Sequence, residues 1–132
     1  MTTTTTTQDK AQPVADEATR AYTIDAAGKR LGTVATDAAR FLIGKDQPDF
    51  AKHTVAPVTV TIENASKLDI PHNKRKEIYQ SYSGYPGGRK METLEHLGER
   101  LGYSEVIRRT VKGMLPKNKL QAVLMKNLIV TE

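Results

Sequence analysis

Apolar and polar positions follow no period through residue 20. The stretch MTTTTTTQDKAQPVADEATR is a six-Thr run followed by polar residues, Ala and one Pro. No face of it buries enough surface to offset the entropy of ordering it. Residues 1–20 are therefore expected to be a disordered tail, with a short Ala-containing helix at 14–20 as the local alternative. From residue 21 the pattern becomes that of one domain, 21–132. Residues 21–25 predict a short strand, and Ala26-Ala27-Gly28 a turn. Over 31–43, at about 100° per residue, Leu31, Val34, Ala35, Ala38, Ala39, Leu42 and Ile43 share one helical face. Thr33, Thr36, Asp37 and Arg40 lie opposite, and Gly44 supplies a C-terminal stop. Two prolines make 46–57 a loop.

Val58-Thr59-Val60-Thr61-Ile62-Glu63 is β-branched almost throughout, as in a strand covered on both faces. Residues 71–77 read as a charged loop and 78–82 as a third strand. Gly84-Tyr85-Pro86-Gly87-Gly88 predicts a tight loop. Thr93 is placed to cap a helix through Leu101, with Leu94, Leu97 and Leu101 inward. Gly102 ends that helix, and Ser104 is the expected N-cap of the next. Pro116 stops that one. A last helix is expected at about 117–127, with Leu120, Val123, Leu124 and Leu128 on one face, then a closing strand. Strands separated by helices predict an α/β fold with a small parallel sheet.

Charge sharpens this picture. The 132 residues carry a net charge of +5, unevenly spread. Residues 1–20 sum to −1 and 21–71 to zero. Residues 72–126 hold twelve basic and five acidic side chains, or +7. A segregated excess of this kind points to a polyanionic partner. With 38% hydrophobic residues, two Phe, five Tyr and no Trp, the core is mainly aliphatic. The absence of Cys excludes disulfides, thiolate zinc sites and cysteine nucleophiles. No apolar run approaches the roughly 18 residues of a membrane span, and no signal-peptide core opens the chain.

Three segments carry candidate chemistry. Residues 104–115 as a helix separate Val106, Ile107, Val111, Met114 and Leu115 from Arg108, Arg109 and Lys112, with Glu105 on the basic face. Alone that is an ordinary amphipathic helix. It runs directly into Lys112-Gly113-Met114-Leu115-Pro116-Lys117-Asn118-Lys119, a bend able to present Lys and Asn to phosphates in fixed geometry. The second segment is Ser81-Tyr82-Ser83-Gly84-Tyr85-Pro86-Gly87-Gly88-Arg89-Lys90. Its glycines allow close backbone approach to phosphate, and Tyr82 and Tyr85 can stack on unpaired bases. The third is Lys74-Arg75-Lys76, either a solvated charge run or a backbone contact.

Enzyme signatures are missing. No Walker-type loop and no Gly-x-Ser-x-Gly occurs. His53, His72 and His96 lack metal-ligand spacing. Glu92, Glu95 and Glu99 are expected along one helix as surface charge, and Asp25, the best single catalytic candidate, reads more simply as a turn former.

With these residues in view, the chain resembles the large-subunit ribosomal protein thirteen family from about residue 22 to 130. The specific matches are Ser83-Gly84-Tyr85-Pro86-Gly87-Gly88 and Val111-Lys112-Gly113-Met114-Leu115-Pro116-Lys117-Asn118. Asp25-Ala26-x-Gly28-Lys29-x-Leu31-Gly32 and Asn64-Ala65-x-Lys67 support them. The resemblance implies a three-layer α/β/α fold with a four-strand parallel sheet. It implies a structural, non-catalytic role in the cytoplasmic ribosome, with no cofactor. The implied partners are large-subunit ribosomal RNA and neighbouring ribosomal proteins. The matched positions extend the RNA-contact role to Lys29, to 84–90 and to 112–119.

The chain departs from the family pattern in places. Thr33 stands where Arg is usual, and Gln121-Ala122 where Gly-Arg is. His53-Thr54-Val55-Ala56-Pro57-Val58 replaces a His-x-Asp-x-Gly-Asp stretch. Ile70-Pro71-His72-Asn73-Lys74 replaces a Thr-Gly-Asn-Lys-like turn, and the final strand Leu128-Ile129-Val130 is not basic. Two other functions fit the residues taken alone: an RNA-binding regulator acting off the ribosome, and a small α/β enzyme using 84–88 as a phosphate loop.

Overall fold

The computed structural model describes residues 20–48 and 50–132. The expected tail, apart from Arg20, lies outside the described residues. Strand β1, Arg20–Asp25, begins one residue inside that segment and runs parallel to β2, Val58–Glu63. The closing strand β5, Leu128–Val130, adds to the other side of β2, giving the order β1-β2-β5. Helix α1, Leu31–Ile43, crosses from β1 to β2 and ends at Gly44, whose φ of 83° is the left-handed cap expected of glycine there.

The alternation along the strands sorts the core. Ile24, Val58, Val60, Ile62 and Leu128 share one face of the sheet and are buried. They pack against Val34, Ala35, Ala38 and Leu42 of α1, the helical face read from the 3.6 period. The same cluster takes in Ile107 and Val111 of helix α4, Tyr103–Met114, and Leu124 of helix α5, Gln121–Lys126.

The fold is α/β with a parallel sheet, but two details differ from expectation. Among the described residues the parallel sheet has three strands, not four. Ile78–Tyr82, the expected third strand, instead pairs antiparallel with Arg89–Thr93 as a separate hairpin, β3 and β4. Nor is there a third layer among the described residues. On the second face of the parallel sheet Ala21, Thr23 and Ile129 of the outer strands are exposed, and Thr59 and Thr61 of β2 between them are half-buried rather than buried.

Smaller differences have local causes. Residues 72–75 of the expected charged loop form one helical turn, α2, His72–Arg75. Helix α3, Leu94–Leu101, is capped by the Thr93 hydroxyl, which accepts from the His96 amide at 3.3 Å, as expected. Its last residue, Leu101, is exposed rather than inward. Helix α4 starts at Tyr103, before the expected cap Ser104, because Gly102 with φ of 88° turns the chain directly into it. Helix α5 is shorter than expected and leaves Val123 exposed. Glu92 lies on β4, not along α3 with Glu95 and Glu99.

Candidate nucleic-acid interface

A second small core decides where the cations go. Leu94, Leu97 and Val106 are fully buried against Tyr79 and Tyr103, so the inner face of the β3–β4 hairpin is fastened to α3 and α4. Burial raises the Tyr79 phenol above its ordinary pKa, against the effect of its hydrogen bond with Thr110 on α4. Tyr79 thus remains a neutral strut between hairpin and helix. One side of α4 is committed to these cores, and Arg108, Lys112 and the segment after the helix face outward.

That segment is held rather than loose. Leu115 is 3% exposed and anchors it. The Gln121 side-chain amide donates to the Lys112 carbonyl at 2.7 Å, and the Asn118 side chain accepts from the Leu120 amide at 3.1 Å. Two shallow clefts result. One, of about 530 Å³, is lined by Tyr79, Gln80, Arg109, Lys112, Lys117 and Gln121. The other, of about 680 Å³, is bounded by Arg108, Lys112, Asn118, Lys119 and Met125. Lys112 stands on the ridge between them. Free ammonium groups on a fixed ridge are suited to phosphate oxygens, since no rearrangement precedes contact.

The expected site residues separate into several places. Arg108, Arg109, Lys112, Gly113, Met114, Leu115, Pro116, Lys117, Asn118 and Lys119 lie together at the end of α4. Within this set Leu115 is an internal anchor, and Arg109 is partly neutralised by Glu105 at 3.1 Å. Tyr82, Ser83, Gly84, Tyr85, Pro86, Gly87, Gly88, Arg89 and Lys90 form the hairpin end, where Tyr82 and Tyr85 are 68% and 75% exposed. A β-carbon on Gly88 would collide with the Ser83 hydroxyl and sit 3.0 Å from the Tyr85 carbonyl oxygen, which explains glycine there. Lys74, Arg75 and Lys76 sit on and after α2, with Lys74 near Glu77 at 3.8 Å. Lys29 is in the β1–α1 turn and lines neither cleft.

Asp25 is occupied structurally. Its carboxylate accepts from the Ala27 amide at 3.0 Å and from the Asn64 side chain at 2.9 Å, and these bonds lower its pKa. Tyr79, Gln80 and Gln121 line the clefts without having been singled out from the sequence. Among the described residues, no three His, Asp or Glu side chains converge as metal ligands, and no helix is long and apolar enough to cross a membrane.

The pattern defining "Ribosomal protein L13" matches residues 19–132. The chain belongs to the ribosomal protein L13 family. Its similarity to "Large ribosomal subunit protein uL13" of Synechocystis sp. is 44% identity over 110 residues, covering 83% of this chain and 72% of the relative. The proteins of the same name from Synechococcus elongatus and Acaryochloris marina are 43% and 41% identical over the same shares. In this L13-family chain the matched region contains both the α4 end and the hairpin.

Proposed function

We propose that this chain is a structural constituent of the large ribosomal subunit, binding ribosomal RNA and supporting subunit assembly and translation. It acts in the cytoplasm as part of the ribosome, beside neighbouring large-subunit proteins. It catalyses no reaction and uses neither a cofactor nor a small-molecule substrate.

The observation that carries the reading is the ridge at the end of α4. Arg108, Lys112, Lys117 and Lys119 are exposed around a backbone fixed by Leu115 and Gln121, in a chain whose relatives are large-subunit proteins. The hairpin residues 82–90, the cations 74–76 and Lys29 supply further contacts. Co-sedimentation tests the assignment. About one copy per large subunit should survive a high-salt wash on a sucrose gradient. Recovery only in the ribosome-free fraction at low salt would overturn it in favour of a regulator acting elsewhere.

A further inference from the structure

The β3–β4 hairpin has two unlike faces. Its register pairs Tyr79 with Glu92 and Ser81 with Lys90 on one side, and Ile78 with Thr93, Gln80 with Met91 and Tyr82 with Arg89 on the other. The first side meets the body: Tyr79 packs on Leu94, Leu97 and Val106, and Glu92 binds Arg100 with an Nε–Oε2 distance of 3.0 Å. The second faces outward. Ile78 and Met91 are each 56% exposed and Tyr82 is 68% exposed. Three large apolar or aromatic side chains side by side on a two-stranded ribbon are unusual for a surface with no partner.

The chemistry of this face selects its occupant. It carries no carboxylate. Glu92 is turned inward and bound, and Glu77 precedes the strand beside Lys74. The charged side chain on the face is Arg89, whose guanidinium donates to the Gln80 side-chain Oε1 at 3.1 Å. Lys76 stands just before the strand, and Lys90 belongs to the other face with Ser81. The outward face is thus apolar in the middle, with the Arg89 cation at one end.

A duplex presents phosphates and sugars outward and would leave Ile78 and Met91 without a contact. Unpaired nucleotides present base faces as well as phosphates. Along β3, side chains on one face recur about every 7 Å, so Ile78, Gln80 and Tyr82 offer successive positions to splayed bases.

We infer that the outward face of the β3–β4 hairpin, through Ile78, Met91 and Tyr82 with Arg89, is a platform for an unpaired RNA segment, separate from the phosphate-binding ridge at the end of α4. The inference rests on the RNA-binding reading and divides it into two modes. The hairpin stacks bases through contacts that salt scarcely affects. The ridge neutralises phosphates and carries the salt dependence.

The test uses the full chain and two RNAs with equal numbers of phosphates, one an unstructured oligonucleotide and one a duplex. The unstructured strand also carries a fluorescent base analogue. The double variant Ile78→Thr, Met91→Thr keeps strand-forming residues at exposed positions, so its melting temperature should stay close to that of the parent. Its affinity for the unstructured strand should fall about ten-fold, with the salt slope unchanged and duplex binding intact. Lys112→Ala with Lys117→Ala should instead flatten the salt slope for both RNAs. In the parent protein the base analogue should be quenched on binding, which tests stacking without any variant.

Equal loss on both RNAs, an unaltered affinity for the strand, or no quenching would overturn the platform while leaving RNA binding in place. Variants that bind both RNAs normally but fail to enter the large subunit would give the face to a protein. A parent protein that binds neither RNA would remove the RNA-binding reading itself.

Discussion

Single residues at the surface of this chain are tied into turns, and the ties are sensitive to acid. Asp25 has its pKa lowered chiefly by the Ala27 amide and then by Asn64, while Glu92 is lowered first by its hydrogen bonds to Arg100. A carboxyl depressed in the folded state contributes stability above its unfolded pKa and loses it as pH falls through the folded value. Asp has an ordinary value of 3.8 here. The thermal midpoint should therefore drop as pH is lowered below about 4. In Asp25→Ala it should drop less over the same window. Melts followed by circular dichroism between pH 2 and 5 check this, and parallel curves for the two proteins would separate Asp25 from acid stability. Gly88 makes a different prediction. In Gly88→Ala the new methyl must displace the Ser83 side chain and crowd the Tyr85 carbonyl. Overpacking of this kind costs about 1–3 kcal/mol. The strain falls on the turn closed by the Gly88 amide to Tyr85 oxygen bond of 2.9 Å. Faster amide exchange should appear at Gly88 while amides of β2 keep their protection.

At the level of elements, α4 joins the two cores to the RNA-contact ridge, and its two sides should respond oppositely to truncation. Ile107 is fully buried in the main cluster. Ile107→Ala should destabilise the protein by about 2–5 kcal/mol, from lost transfer energy and the cavity left behind. Arg108→Ala, one residue on, should leave stability within about 0.5 kcal/mol and weaken RNA binding. Urea unfolding and RNA titration of both variants give the comparison, and a large stability loss in Arg108→Ala would put that side chain in a structural role. The same helix shows what the sequence made legible. Residues that bury one stripe, as in α1 and α4, declare themselves through the 3.6 period, and β2 through its β-branched run. Strand β4 does not. Arg89-Lys90-Met91-Glu92-Thr93 shows no apolar alternation because its outer face meets solvent and its inner face is occupied by an ion pair with Arg100. The antiparallel hairpin is hidden for that reason, and the sequence pattern alone puts Ile78–Tyr82 in the parallel sheet. Of the site, the basic segment 112–119 was readable as a contiguous run of cations and bend formers. Gln121 and Gln80 were not, because their roles depend on hydrogen bonds to residues nine positions away.

Over the whole molecule, the apolar and the charged parts are segregated so that folding and binding depend on salt in opposite senses. The buried residues of the core are all hydrophobic, and among the described residues no buried side-chain N or O atom lacks a hydrogen-bond partner. The packing of β1, β2, β5, α1 and α4 therefore leaves the cohesion of the domain to apolar burial, with no charge on RNA needed to complete it. Residues 72–126 nonetheless carry a net +7, and an excess of like charge disfavours the compact state. Added salt screens that repulsion over a length of about 10 Å at 0.1 M. The free protein should unfold cooperatively without RNA, and its melting temperature should rise modestly between low and moderate ionic strength. RNA affinity should fall over the same range, by a factor that grows with the number of phosphates neutralised. Saturating RNA should raise the melting temperature at low salt, since a ligand bound only to the folded state stabilises it by mass action, and this increment should shrink as salt is added. Differential scanning calorimetry with and without RNA, across one salt series, measures both trends together. A free protein with no cooperative transition at any salt would mean that the basic surface outweighs the aliphatic core and that the domain is completed by its RNA.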